Sequence, residues 1–117
     1  MNNLNSVLLE GIVSDGPAFN NSPELGASCD FVLVSNRYYK KGDDLEEEQS
    51  FFDVRVKGHL AEICNEYLSK GHGVRIVGRL KQDRWEAPAD DYQKGGPRSK
   101  VYIVAEHVEF KPRLPSA

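Results

Sequence analysis

The chain has 117 residues, which suits one domain with a single continuous core and is too short for two ordinary domains. Its hydrophobic content of 39% and charged content of 28% are typical of a folded protein, and no apolar run approaches the roughly 20 residues that span a bilayer. The chain does not start with a basic stretch followed by a long apolar one, as a secretion signal would. We therefore expect a cytoplasmic protein that does not act at a membrane.

The formal net charge of −3 argues by itself against a nucleic-acid partner, but the charges are unevenly distributed. Acidic residues crowd into "DDLEEE" (43–48). Three stretches are locally basic: "RYYKK" (37–41), "KGHGVRIVGRLKQDR" (70–84) and "KGGPRSK" (94–100). The bulk charge is therefore a poor guide to the partner.

The first half of the chain predicts three strands. Residues 4–13 and 30–36 are rich in Val, Leu, Ile and Phe, as strands are. Residues 14–29 between them are full of turn formers and predict a loop. The segment "QSFFDVRVKG" (49–58) alternates apolar and polar residues and predicts the third strand.

The second half predicts a helix and two more strands. Apolar residues recur at helical spacing over 59–71, so that this segment predicts a short amphipathic helix ending at Gly71. Residues 74–85 alternate again, residues 86–99 are rich in Gly and Pro and predict a hairpin, and residues 100–110 predict a fifth strand.

This order fits an all-β fold with one helix, the OB-fold, which is a five-stranded Greek-key barrel with a helix between its third and fourth strands. We expect the domain to cover residues 1–111, followed by a short flexible end at 112–117. In this fold, strands 2 and 3 and the loops joining strands 1 to 2 and 4 to 5 form the oligonucleotide-binding face. Phe51 and the hairpin 86–99 are expected there.

The third strand places an aromatic ring among charges. Because successive side chains of a strand point to opposite faces, Phe52, Val54 and Val56 are expected in the core. The opposite face then carries Phe51, Asp53, Arg55 and Lys57.

The fourth strand repeats this arrangement. Its expected core residues are Val74, Ile76 and Leu80, and its other face carries Arg75, Val77, Arg79, Lys81, Asp83 and Trp85. Tyr38 and Lys40 share one face of the second strand, beside Arg37. A groove that holds single-stranded nucleic acid without reading its sequence needs rings on which bases stack and cations for the phosphates. Surface rings can also pack across strands or close a subunit interface, and a bulge would exchange the two faces.

Three stretches resemble the bacterial single-stranded DNA-binding protein family. "NSVLLEGIVSDGP" is similar to its opening strand and turn, and "FVLVSNRYYKK" to its second strand. The longest match is "FFDVRVKGHLAEICNEYLSKGHGVRIVGRLKQDRW", which resembles the family's aromatic-led strand, its helix and the strand leading to a tryptophan. The resemblance covers about residues 4 to 110. It implies a non-enzymatic protein that binds single-stranded DNA in replication, recombination and repair.

The resemblance also assigns roles to single residues. Tyr38, Phe51 and Trp85 stand at the family's stacking positions, whereas Lys57 occupies a position that is usually aromatic. The chain after Phe110 does not resemble the acidic tip with which family members recruit replication proteins, so that such recruitment is doubtful. The resemblance implies a homotetramer in the bacterial nucleoid, and a dimer is the alternative. No cofactor or metal is expected.

Residues and resemblance together predict the DNA-contacting side chains. These are Arg37, Tyr38, Lys40, Phe51, Arg55, Lys57, Arg75, Arg79, Lys81, Arg84, Trp85, Lys94, Arg98 and Lys100.

Two other functions compete with this prediction. The first is an OB-fold adaptor resembling primosomal replication protein N, which acts in replication restart, but that relative has a looser loop in place of the helix at 59–71. The second is a metal-dependent hydrolase using "DDLEEE" or the histidines. Metal ligands usually converge from separate elements, and His59 and Cys64 are five residues apart, so that they do not share a helix face. Cys29 and Cys64 are expected to be buried thiols.

Overall fold

The computed structural model describes residues 1–112. The order of five strands and one helix is the predicted one. The elements are β1 (Val7–Ser22), β2 (Gly26–Lys41), β3 (Asp44–Lys57), α1 (His59–Tyr67), β4 (Gly73–Ala87) and β5 (Gly96–Phe110).

The five strands close into a barrel in the order β1-β2-β3-β5-β4. Neighbouring strands are antiparallel except β3 and β5, which run parallel and pair only at Val54 with Ile103 and at Arg55 with Val104. The helix lies between β3 and β4 in the chain. The predicted OB-fold is therefore confirmed.

The inward faces of the strands and one face of α1 form a single core. It includes Val54, Val56, Val74 and Ile76, as the alternation predicted. Cys29 and Cys64 are buried free thiols, and burial raises the pKa of Cys64 to about 12, so that this thiol stays protonated at neutral pH.

Two residues predicted for the core are half-exposed. Phe52 and Leu80 lie on the predicted inward face of their strands. However, Phe52 is 37% exposed and Leu80 is 48% exposed. Phe52 lies two residues before Val54, where the β3–β5 pairing begins. Leu80 lies two residues beyond Gly78, where the β1–β4 pairing ends. Alternation predicted their side correctly, but it could not predict where the barrel ends.

The first predicted loop, residues 14–29, is mostly strand. β1 and β2 continue as one long hairpin to the pair Ser22 and Gly26. Register shifts between Val13 and Asp15 and between Asp15 and Ala18 accommodate the irregular part of β1 within this pairing. The loop prediction was wrong because turn-forming residues also occur at bulges within strands.

Two hairpins extend beyond the barrel. In the first, the β2–β3 arm (residues 36–49), the acidic run forms part of β3 and pairs with the basic end of β2, as at Arg37 with Glu48. Opposite charges on paired strands stabilise such a ladder. In the second, the β4–β5 arm (residues 81–100), pairing continues to Ala87 and Gly96, so that the predicted hairpin 86–99 is shortened to the connection 88–95.

Helix α1 ends at Tyr67 rather than at Gly71. The backbone of Leu68 is extended, and its N–H donates to the Cys64 carbonyl. The N–H of Gly71 instead donates to the Val13 carbonyl on β1, so that tertiary contacts hold the segment predicted as the last helical turn.

The remaining predictions concern membrane-spanning helices, metal-ligand groups and the C-terminal end. Within residues 1–112 no helix is long and apolar enough to cross a membrane. In the same range no three His, Cys, Asp or Glu side chains are grouped as metal ligands would be. Apart from Pro112, the predicted flexible end lies outside the described residues.

Candidate nucleic-acid interface

The outward face of β2 and β3 carries two of the predicted rings. Phe51 is 61% exposed and is the cross-strand partner of Val34. Tyr38 is 60% exposed and pairs with Glu47, which lies on the same side of β3 as Phe51. The two rings therefore point to the same side of the sheet.

The third ring lies on the continuation of this surface. Val104 on β5 is the register partner of both Arg55 on β3 and Arg79 on β4, which places these three side chains on one side. Trp85 has the same alternation as Arg79 and is 49% exposed. The structure thus brings all three rings to one continuous surface, which we call the outer face.

Several predicted cations on the outer face already have carboxylate partners. Arg55 forms a two-pronged ion pair with Asp30, with a shortest N–O distance of 2.9 Å. Lys81 pairs with Asp83, and Nζ of Lys100 lies 3.6 Å from Asp53. A phosphate that binds these side chains must compete with a carboxylate.

Arg75 is engaged in the same way on β4. It lies 2.9 Å from Glu10 and 3.6 Å from Glu109. Hydrogen bonds from Lys111 and Arg75 lower the pKa of Glu10, so that this carboxylate is charged at neutral pH.

Other cations on the outer face are not neutralised. Lys40, Lys57 and Arg79 form no ion pair with any residue between 1 and 112. Arg98, the cross-strand partner of Trp85, donates to the backbone carbonyls of Pro97 and Lys94 rather than to a carboxylate. These four side chains can bind phosphate without first losing an ion pair.

Three predicted cations lie away from this group. Arg37 lies on the opposite face of the β2–β3 arm from Tyr38, with its guanidinium 3.8 Å from Glu48. Arg84 lies on the opposite face of the β4–β5 arm from Trp85, because they are adjacent residues of one strand. Lys94 lies in the turn at the end of that arm.

Sequence reasoning missed Tyr102, which contacts Arg55, Lys81 and Asp83 on the outer face. Its hydroxyl donates to Asp83 at 3.0 Å, and the guanidinium carbon of Arg55 lies 4.9 Å from its ring centroid. Tyr102 and the core residue Ile103 are neighbours in the predicted fifth strand, so that their side chains point to opposite faces. This alternation could have placed Tyr102 on the outer face from the sequence. Tyr102, Arg55 and Lys100 border a cavity of about 210 Å³ on this face, together with Asp15, Asp30 and Asp53.

Comparison with known proteins identifies the family. The model of the single-strand binding protein family matches residues 4–111, which is nearly the whole chain. The chain belongs to the single-strand binding protein family. The resemblance expected from the sequence is therefore confirmed.

Individual members of the single-strand binding protein family are similar over most of this chain. The single-stranded DNA-binding protein of Treponema pallidum is 38% identical over 110 residues, which are 94% of this chain and 59% of the relative. The protein of that name from Aquifex aeolicus is 37% identical over 108 residues, covering 92% of this chain and 69% of the relative. This chain thus spans about three fifths of the length of the first of these relatives.

A solved structure shows the same similarity in three dimensions. The wild-type single-stranded DNA-binding protein of Thermus aquaticus superposes with a TM-score of 0.73 at 27% identity, over 93% of this chain and 50% of that chain. The barrel and its outer face are thus built on the family's fold.

Proposed function

We propose that the chain binds single-stranded DNA without sequence preference through the outer face. The observation that carries this proposal is the placement of Phe51, Tyr38 and Trp85, all exposed, beside unpaired cations on one continuous surface. The names of the Treponema and Aquifex relatives, both single-stranded DNA-binding proteins, support it.

Binding then works by stacking and charge neutralisation. Every base has a π-face that can stack on a ring, so that contacts with Trp85 and Phe51 tolerate any sequence. Lys40, Lys57 and Arg79 are available to phosphates on the same surface. Neither step makes or breaks a covalent bond, so that the proposed role is non-enzymatic, in DNA replication, recombination and repair within the bacterial cytoplasm.

A titration with poly(dT) tests this function directly. Trp85 is the only tryptophan, so that the fluorescence signal has one source. We expect substantial quenching on binding and much weaker binding of duplex DNA, whose bases are already stacked. Equal affinity for duplex and single strands would refute the proposal.

The pairing state of the cations predicts how salt affects each variant. Arg79→Ala removes an unpaired cation and is expected to make the slope of log affinity against log salt shallower by about 0.7, the contribution of one phosphate on a single strand. Lys81→Ala removes a cation that Asp83 already neutralises, and we expect a smaller change in slope. The measurement is the poly(dT) titration at several salt concentrations. Equal slopes for the two variants would mean that the ion pair opens on binding.

We further propose that the chain assembles as a homotetramer, with a dimer as the alternative. An exposed apolar surface around Ile103 supports assembly. This surface consists of Leu80, Val101 and Phe52, which are partly exposed. Leu80 pairs with Ile103, Val101 lies two residues before Ile103 on β5, and Phe52 lies two residues before Val54, the β3 partner of Ile103. Sedimentation of the purified chain measures its mass and distinguishes a monomer, dimer and tetramer.

We assign DNA binding to a single domain at residues 1–111. The primosomal adaptor is disfavoured because α1 is a regular helix whose Ala61 and Cys64 are buried in the core.

A further inference from the structure

Tyr102 lies beneath the charged side chains of the outer face, on β5. It is 5% exposed, whereas each of the other four tyrosines of the chain is at least 40% exposed. Its register partner on β4 is Lys81, and the next residue, Ile103, pairs with Val54 on β3. The tyrosine thus lies between β3 and β4, where its hydroxyl needs polar partners because it is buried.

Two cations from the neighbouring strands contact the Tyr102 ring. The guanidinium carbon of Arg55 on β3 lies 4.9 Å from the ring centroid, and the ammonium nitrogen of Lys81 on β4 lies 5.6 Å from it. Both distances are within the range in which the face of an aromatic ring attracts a cation. One ring therefore holds two like charges near each other across β5.

The Tyr102 hydroxyl connects the ion pairs of these two cations. It accepts a hydrogen bond from Nη1 of Arg55 at 3.4 Å and donates one to Asp83 at 3.0 Å. Asp83 also pairs with Lys81, and Arg55 pairs with Asp30. Hydrogen bonds from Lys81 and Tyr102 lower the pKa of Asp83, so that this carboxylate is charged at neutral pH. We call these five side chains, which come from all four strands β2 to β5, the Tyr102 network.

The Tyr102 network joins the strands that carry two of the stacking rings. Phe51 lies four residues before Arg55 on β3, and Trp85 lies four residues after Lys81 on β4, so that each ring shares a strand face with one cation. Four residues of a strand span about 13 Å. The two cations are therefore placed to meet phosphates of a strand that stacks on both rings.

Binding a phosphate requires Lys81 to exchange one anion for another. A carboxylate that loses a charged donor without replacement raises the free energy of the complex. The Tyr102 hydroxyl limits this cost, because it still donates to Asp83 after Lys81 has turned away. The ring keeps the ammonium near Arg55 in either pairing, since the attraction depends on the distance to the ring and not on which anion is bound.

We propose that Tyr102 is a positioning residue for DNA binding, which holds Arg55 and Lys81 together and retains Asp83 when Lys81 turns to a phosphate. The proposal rests on the proposed function and adds a residue that acts through its neighbours. Tyr102 itself need not touch the DNA, whereas the two cations bind phosphate oxygens.

The first test removes the hydroxyl and keeps the ring. Tyr102→Phe is expected to weaken binding of poly(dT) about threefold, because Asp83 then has Lys81 as its remaining donor and releases it less readily. Tyr67→Phe is the matched control, since this tyrosine lies on α1 with its ring against Phe110 and should leave the affinity unchanged. Both variants retain Trp85, so that its quenching measures binding, and urea denaturation measures their folding stability.

An Asp83→Asn background separates positioning from packing. This variant removes the charge that competes with phosphate for Lys81, and we expect it to bind poly(dT) about threefold more tightly. Because Lys81 is then free without help from the hydroxyl, adding Tyr102→Phe should cause no further change in affinity. A hydroxyl that served packing alone would weaken binding by the same factor in both backgrounds, and that result would overturn the proposal.

Two further results separate this proposal from the proposed function. Equal affinity of Tyr102→Phe and Tyr67→Phe for poly(dT), with normal quenching of Trp85, would overturn the positioning role and leave DNA binding intact. Absence of binding by the unsubstituted chain would refute the proposed function itself. The comparison also holds if Tyr102→Phe lowers the folding stability, because the urea measurement gives the folded fraction and affinities are compared at equal concentrations of folded protein.

Discussion

Replacing Trp85 by alanine is expected to weaken binding of poly(dT) by about 1–3 kcal/mol, or roughly 5- to 150-fold, with little loss of folding stability. The large effect follows from stacking, because the indole is half-exposed and offers its face to a base without first leaving a packed core. Phe51→Ala and Tyr38→Ala should each weaken binding within the same range. The affinities of all three variants are measured by the anisotropy of a labelled oligonucleotide or by competition, because Trp85→Ala has no tryptophan signal.

The β2–β3 arm provides a matched control for this prediction. Tyr39 is an exposed ring next to Tyr38, but it points to the opposite face, where it lies beside Arg37. Tyr39→Ala should therefore leave the affinity unchanged. If Tyr38→Ala and Tyr39→Ala bind DNA equally well, the ring of Tyr38 is not a stacking platform. Normal binding by all three outer-face variants would give these rings a structural role only.

Gly78→Ala is expected to be among the most destabilising small substitutions in the barrel. An added Cβ would lie 2.2 Å from the carbonyl oxygen of Val104, which is backbone and cannot move aside as a side chain can. Gly78 is buried where the register of β4 against β5 shifts, so that relief of the clash requires separating paired strands. We expect a loss of about 3 kcal/mol or more in the free energy of unfolding, measured by urea denaturation.

Gly73→Ala is the control for this effect. A Cβ there would meet the side chain of Lys111 at 3.5 Å, an ordinary contact. Its unfolding free energy should change by less than about 1 kcal/mol. Comparable losses in the two variants would show that the close approach at Gly78 does not determine the effect of the substitution.

The side of each ring could be predicted from the sequence because it depends on neighbouring residues alone. In any strand, Phe51 must point away from Val54 and Val56, whatever the strand pairs with. The order of strands and helix is equally local, since it follows from periodicity along the chain. Motifs such as "GHLAEICNEYLSKG" added the family, and with it the expectation of a barrel.

The tertiary structure alone decided which of the predicted cations are available. Arg55 meets Asp30, which is 25 residues earlier in the chain, and Arg75 meets Glu10 across the β1–β4 pairing. Lys57 and Arg79 have the same charge as Arg55 and Arg75 and lie on the same strands. No carboxylate within the described chain forms an ion pair with them. Ion pairing depends on separations of a few ångströms between residues brought together by strand register.

The extent of the barrel was decided in the same way. Nothing local distinguishes Leu80 from Ile76, yet Ile76 is buried and Leu80 is half-exposed. Burial requires neighbouring atoms on every side. Ile76 pairs with Leu9 on β1, whereas Leu80 lies beyond Gly78, where the β1–β4 pairing ends. The direction of each side chain in a strand therefore follows from local alternation, while the closure of the barrel sets which atoms each side chain contacts.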